Sequence, residues 1–281
     1  MDLRPSPIAG RWYPGDPHAL AEAVDAYVDA AQIDTPAGQV VALIAPHAGH
    51  VYSGPVAGYA FKAVLGLSFD TVAILSPSHF HADGPLVTCA HEAYTTPLGA
   101  VEVDREAVAA LRADLQAQFS LPGEMLLPAI RRDREHAVEI ELPFLQRVLA
   151  APFRLIALMV RDQSQRMMQG LAQALARILR NRRALIVGSS DLSHFYTGAE
   201  ANKLDAEMLK QIGAFDPEGV LQAEESGRGY ACGHGPIAAC LWAARDLGAT
   251  QARVLHHATS GDVTGDQAEV VGYGAAVVWK P

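Results

Sequence analysis

The chain has 281 residues, 50% of them hydrophobic, with 31 acidic against 22 basic side chains and a formal net charge of −9. That length carries a large core, and an acidic balance without a Lys/Arg cluster disfavours backbone-driven nucleic-acid binding, which needs grouped cations. No apolar run reaches the roughly 18 residues of a bilayer span, the opening MDLRPSPIAGRWYPGD lacks the parts of a signal peptide, and three cysteines do not make a disulfide framework, so a cytoplasmic protein without membrane or nucleic-acid partners is expected.

In chain order, Asp16-Pro17 reads as a helix start, with an acid as cap and proline in the first turn; Leu20, Val24, Tyr27 and Val28 then share a face. Residues 40–45 (VVALIA) form a compact apolar strand that runs into Pro46-His47-Ala48-Gly49, followed by a helix over about 55–65. Residues 71–75 (TVAIL) form a second strand, ending on Ser76-Pro77-Ser78-His79. A short strand over 85–89, a turn over 96–99 and a helix over 104–115 come next. Residues 134–149 have an amphipathic helical pattern that Pro143 should kink or restart. A strand over 153–160 and a helix over 167–179 precede the strand 184–187 (ALIV), which runs into Gly188-Ser189-Ser190-Asp191-Leu192-Ser193-His194. Helices over 200–212 and 217–225 lead to a Gly-rich turn, 231–236, and an apolar helix through 247. Strands over 252–257 and 270–279 close the chain. The alternation predicts one α/β domain over 1–281, its central, mostly parallel sheet sandwiched by helices.

In such sheets the ligand crevice lies beyond the carboxyl ends of the strands. Three strand ends each deliver a polar group there: His47, His79, and Asp191 with His194. Imidazole is a common metal ligand, and the repeated order of apolar strand, turn and histidine sets His47 and His79 apart from ordinary core or capping histidines. His81, two residues on, competes with His79. Asp191 and His194, three apart, fit one helical turn as ligands, as a general acid/base pair, or as a histidine oriented by the acid; a cap is the structural alternative for Asp191. Cys232 precedes a helix, which should lower its thiol pKa. Glu135 and His136 are expected beside the site as an acid/base pair, and His234 is expected to line the crevice. Glu139 and Glu141 read as a solvated face or ion-pair partners, and Cys240 as a buried small hydrophobe. Residues 259–266 read as a Gly/Asp loop near the rim. The dinucleotide, P-loop, HExxH, CxxC and GxSxG motifs are all absent.

Taken together, PSPIAGRWYPGD from Pro5, PHAGHVYSG from Pro46, SPSH from Ser76, TPLG from Thr96, EHAVEIELPFL from Glu135, SSDLSH from Ser189, CGHGP from Cys232 and SGDVTGD from Ser260 resemble the Memo family over nearly the whole length. The resemblance implies a fold similar to class III extradiol dioxygenases and one metal ion, iron(II) first, with copper or zinc as alternatives. His47, His79 and Cys232 would be its ligands, with His194 and Asp191 catalytic beside them. Two features depart from the pattern: Cys232 stands where those dioxygenases place a carboxylate, and His50 where the family has an aromatic residue. The resemblance further implies a small-molecule or peptide ligand and a functional link to a radical-SAM protein and an AMMECR1-like protein. A metal-dependent oxidoreductase is the first expectation. A peptide-binding scaffold and a zinc-dependent hydrolase are the alternatives.

Overall fold

The computed structural model describes residues 1–131 and 133–281. Its strands are β1 Leu3–Arg4, β2 Gln39–Ala45, β3 Thr71–Pro77, β4 Leu86–Cys89, β5 Ala93–Thr96, β6 Gly99–Glu102, β7 Ala129–Ile130, β8 Arg154–Val160, β9 Ala184–Ser189, β10 His194–Tyr196, β11 Gln251–Thr259 and β12 Val270–Lys280. Its helices are α1 Pro17–Ala30, α2 His50–Lys62, α3 Arg105–Phe119, α4 Gly123–Leu126, α5 Leu142–Val148, α6 Gln165–Leu179, α7 Gly198–Gly213, α8 Pro217–Glu225, α9 His234–Asp246 and α10 Ser260–Thr264.

The large sheet runs β10-β12-β2-β9-β3-β8-β4-β7, with β11 on the other side of β12. Its centre, β2-β9-β3-β8, is parallel throughout, and antiparallel pairings extend it through β12 on one flank and β4 on the other. These four central strands are buried almost end to end because helices cover both faces, which is why they read as unbroken apolar runs rather than alternating ones. One helical layer is α1, α2 and α5, with α2 lying on β2, β11 and β12; the other includes α3, α6, α8 and α9, with α9 on β2, β3 and β9. A separate sheet, β1-β5-β6, holds the N-terminal strand against a hairpin.

Where the signals were local, the elements match them. Asp16 caps α1 by accepting from Ala19 N–H (2.9 Å), and Leu20, Val24 and Val28 are its buried stripe. Asp104 caps α3 in the same way, through Ala107 N–H. Three expectations fail for stated reasons. Helix α2 begins at His50, not Pro55: His50 N–H donates to Trp12 O (2.8 Å), which starts the helix earlier and leaves the proline inside it. The helix expected from residue 134 does not form before a 3₁₀ turn at Glu139–Glu141, and Pro143 sits in the first turn of α5. Other bonds hold the segment instead: Asp133 accepts from Glu135 N–H, Glu135 accepts from the N–H groups of His136 and Ala137, and Glu135 O, which that helix would have used, accepts from Arg4. Residues 190–193 are likewise not a helical turn, because their backbone bonds go to Ala45 O and to Gly272 on β12. Among the described residues no helix is long and apolar enough to cross a membrane.

Candidate metal centre

The order β2-β9-β3 sets the carboxyl ends at Ala45, Ser189 and Pro77 side by side. The loops that follow therefore bring His47, the 190–194 segment and His79 to one crevice of about 640 Å³. Each loop is fixed by a buried carboxylate. Asp191 Oδ1 accepts from the backbone N–H of His47 (2.8 Å) and of Ala48 (3.2 Å). Glu135 accepts from His79 N–H (2.5 Å) and bonds its Nδ1 (2.9 Å). Asp205 accepts from Ser193 N–H (2.9 Å) and His257 Nε2 (2.8 Å). Gly272 makes that last contact possible, since a Cβ there would lie 1.9 Å from Asp205 Oδ2.

His47, His79 and His136 each offer a ring nitrogen, all within 4.8 Å of one another. The rings of His79 and His136 stack at 4.7 Å between centroids, and His47 stands edge-on to both. Trp12 packs against His136, the ring centroids 4.2 Å apart and the planes tilted at 44°. Burial, then the charge of His79, pushes His47 down to about 3. Burial, then the charge of His47, puts His136 at about 3. His79 behaves oppositely: burial opposes its charged form, but the hydrogen bond and charge of Glu135 prevail and raise it. Burial would also raise Glu135, yet its bonds to His79 and the charges of His79 and His136 hold it at about 2. Two neutral imidazoles and a carboxylate-backed third, crowded together, repel added protons and offer lone pairs to a cation. The donor set fits one divalent metal ion.

The other expected residues divide. Cys232 Sγ lies 3.2 Å from His47 Nε2, at the edge of the three-histidine group rather than within it. Its thiol is not acidified by the start of α9: burial, then the charge of Asp191, pushes the pKa up. Gly233, next to it, is required by packing, since a Cβ would stand 2.7 Å from Ser189 O. Asp191 and His194 both line the crevice, but Asp191 does not orient His194 by a hydrogen bond. His194 Nδ1 donates instead to Leu192 O (2.7 Å). Burial lifts Asp191 to about 6, against the charge of His194 and the two amides it accepts from.

His136 joins the ring cluster itself instead of supporting it from outside. His234 turns away from the crevice, its Nδ1 on Ala231 O (3.1 Å) and 4.0 Å from Glu224. His81 lines a separate small cavity with Phe80 and Asp133, which leaves His79 as the residue of the pair at the site. Glu139 and Glu141 are buried, not solvated; Glu139 pairs with Arg4 and Glu141 bonds Ser189. The Gly/Asp segment is at the rim as expected, but as the short helix α10, whose Ser260 and Thr264 line the crevice. Sequence reasoning passed over Trp12 and Phe195. Phe195 was readable only from the backbone: it is exposed at the crevice with φ 61°, a left-handed conformation that is costly for an aromatic residue.

Parallel strand ends that deliver His47 and His79 to one crevice, where the segment before the 3₁₀ turn adds Glu135 and His136, define an α/β protein with a site able to hold a single metal ion. The chain belongs to the Memo family: the family described as Memo-like protein matches residues 4–277. It is similar to a MEMO1 family protein of Nitrosopumilus maritimus, 33% identical over 97% of this chain and 98% of that one. A MEMO1 family protein of Aeropyrum pernix is 34% identical over 99% and 100%. One of Methanosarcina mazei is 31% identical, again over 99% and 100%.

Proposed function

We propose that the protein is a metal-dependent oxidoreductase that holds one iron(II) ion through His47, His79 and His136, with Cys232 as an adjoining thiol donor. The observation that carries this reading is the trio of imidazole nitrogens within 4.8 Å of one another, opening onto a crevice with room for an organic ligand. When bound, such an ion supplies a redox centre with positions left open for dioxygen and substrate. The chain does the rest. Glu135 fixes the ring of His79, and Trp12 packs on that of His136. His194, tied through Nδ1 to Leu192 O, keeps its other ring nitrogen as the proton donor and acceptor of the crevice. The apolar walls, Val51, Tyr52 and Phe195 among them, receive the organic part of the ligand.

The test is elemental analysis of protein purified anaerobically without a metal-binding tag, wild type beside His47→Ala. About one iron per chain, absent from the variant, is the expected result. Zinc in its place would transfer the reading to a hydrolase. No metal in either protein after reconstitution would leave a ligand-binding scaffold.

Affinity should also depend on pH in a defined direction. His47 and His136 stay neutral far into acid, so the proton that competes with the ion is the one on His79, whose pKa is raised. Zinc(II) affinity is therefore expected to fall more steeply below that pKa than above it, by up to about a further tenfold per pH unit, added to the shallower dependence that release of the Cys232 proton gives throughout. Competition titrations between pH 8 and 5.5 would measure this. A slope that does not steepen across that range would mean that His79 is not a ligand.

A further inference from the structure

His47 has a second contact that the ligand role does not explain. Its Nδ1 lies 3.0 Å from Ser189 Oγ at the end of β9. That hydroxyl is also 3.0 Å from Ala137 O and 2.6 Å from Glu141 Oε1. All four residues are buried, with Glu141 1% exposed and Ser189 not at all. We infer that Ser189, held by Glu141, is a positioning residue that fixes the tautomer of His47, keeping the proton on Nδ1 and the lone pair on Nε2, which faces Cys232 and the crevice.

Proton counting supports the assignment. A serine hydroxyl has one hydrogen and two lone pairs. Ala137 O only accepts, so it takes the serine hydrogen. The two remaining contacts must then donate to Oγ: His47 through Nδ1–H, and Glu141 as a carboxylic acid. Burial without a neighbouring cation pushes Glu141 well above the ordinary carboxylate range, which agrees with its role as the acid. The opposite tautomer would have the serine hydrogen aimed at Nδ1, leaving Ala137 O without it. It would also put the ring hydrogen on Nε2, so that the Cys232 thiol, 3.2 Å away, could not donate there. His47 and His79 are thus oriented differently, His79 by an ionised carboxylate and His47 by a neutral acid acting through a hydroxyl.

The ligand half of this inference rests on the metal reading above; the tautomer half does not. The test is side-chain ¹⁵N NMR of the metal-free full-length chain labelled on histidine, with the His47 signals assigned by their loss in His47→Ala. A protonated Nδ1 and an unprotonated Nε2 are expected in the wild type. Ser189→Ala is expected to convert His47 largely to the Nε2–H form and to weaken zinc(II) binding about 10- to 100-fold. Glu141→Leu, which frees the hydroxyl to turn toward Nδ1, is expected to draw the two nitrogen shifts toward each other. An Nε2–H tautomer in the wild type overturns the inference, and so does a Ser189→Ala protein unchanged in both tautomer and zinc affinity. If the wild type binds no zinc but has the Nδ1–H form and Ser189→Ala loses it, the positioning role stands and the metal reading falls.

Discussion

Alanine in place of His136 is expected to lower the affinity for one iron(II) or zinc(II) ion by more than about 100-fold, because changes that only touch a ligand's supports already cost roughly 10- to 100-fold. The substitution should leave the fold intact. His136 is half-buried, and its backbone N–H is held by Glu135 (2.9 Å) independently of the ring. Cys232→Ala is the informative partner. Its Sγ touches His47 Nε2 but stands outside the trio, and burial keeps it a thiol until an ion draws off the proton, so a loss of about tenfold is expected. Titration against a chromophoric chelator at pH 7.5 would rank the two variants. If Cys232→Ala costs more than His136→Ala, the thiolate is the third ligand and the His136 ring, under Trp12, is only a wall of the crevice.

That comparison falls where the sequence was least legible. His47 and His79 could be placed from sequence because each directly follows a strand buried on both faces; an apolar run then marks the strand, and the next polar residue lies at the sheet edge. The parallel centre followed from the same runs. His136 sits in a segment whose local pattern is that of an amphipathic helix. What undoes the helix is long-range: the carboxylate of Glu135 is committed to His79, 56 residues away, and its carbonyl to Arg4, 131 residues away. No window of sequence contains those partners. Cys232 shows the same limit in electrostatic form. The helix start beside it was visible and favours a thiolate, but the burial and the Asp191 charge that outweigh it come from other loops. The β5–β6 hairpin, four residues a strand, was legible only as its turn.

Arg4→Ala is expected to destabilise the metal-free protein by about 3–5 kcal/mol, the range for stranding a buried ion pair. This would be read as a melting temperature lower by roughly 10 °C. Arg4 is 1% exposed and serves three partners at once. Its Nε donates to Asp133 (2.8 Å), Nη1 to Glu139 (2.5 Å) and Nη2 to Glu135 O (2.6 Å), while the guanidinium lies over the Tyr94 ring. Strand β1 thereby fixes the segment that carries Glu135 and His136, which couples the N-terminus to the candidate metal centre. Most of the cost comes from the carboxylates left behind. Ser6 and Tyr13 still donate to Glu139, but nothing would offset its charge, and burial already raises its pKa with Arg4 present. The sign of the pH dependence follows. As pH falls, Glu139 in the variant, without the Arg4 charge that lowers its pKa, takes up a proton at a higher pH than in the wild type, so the stranded charge disappears there first. The gap in melting temperature between wild type and Arg4→Ala should therefore narrow from pH 8 to pH 5. A gap that keeps its full size across that range would assign the loss to the packing of the arginine stem and the Tyr94 ring, not to charge.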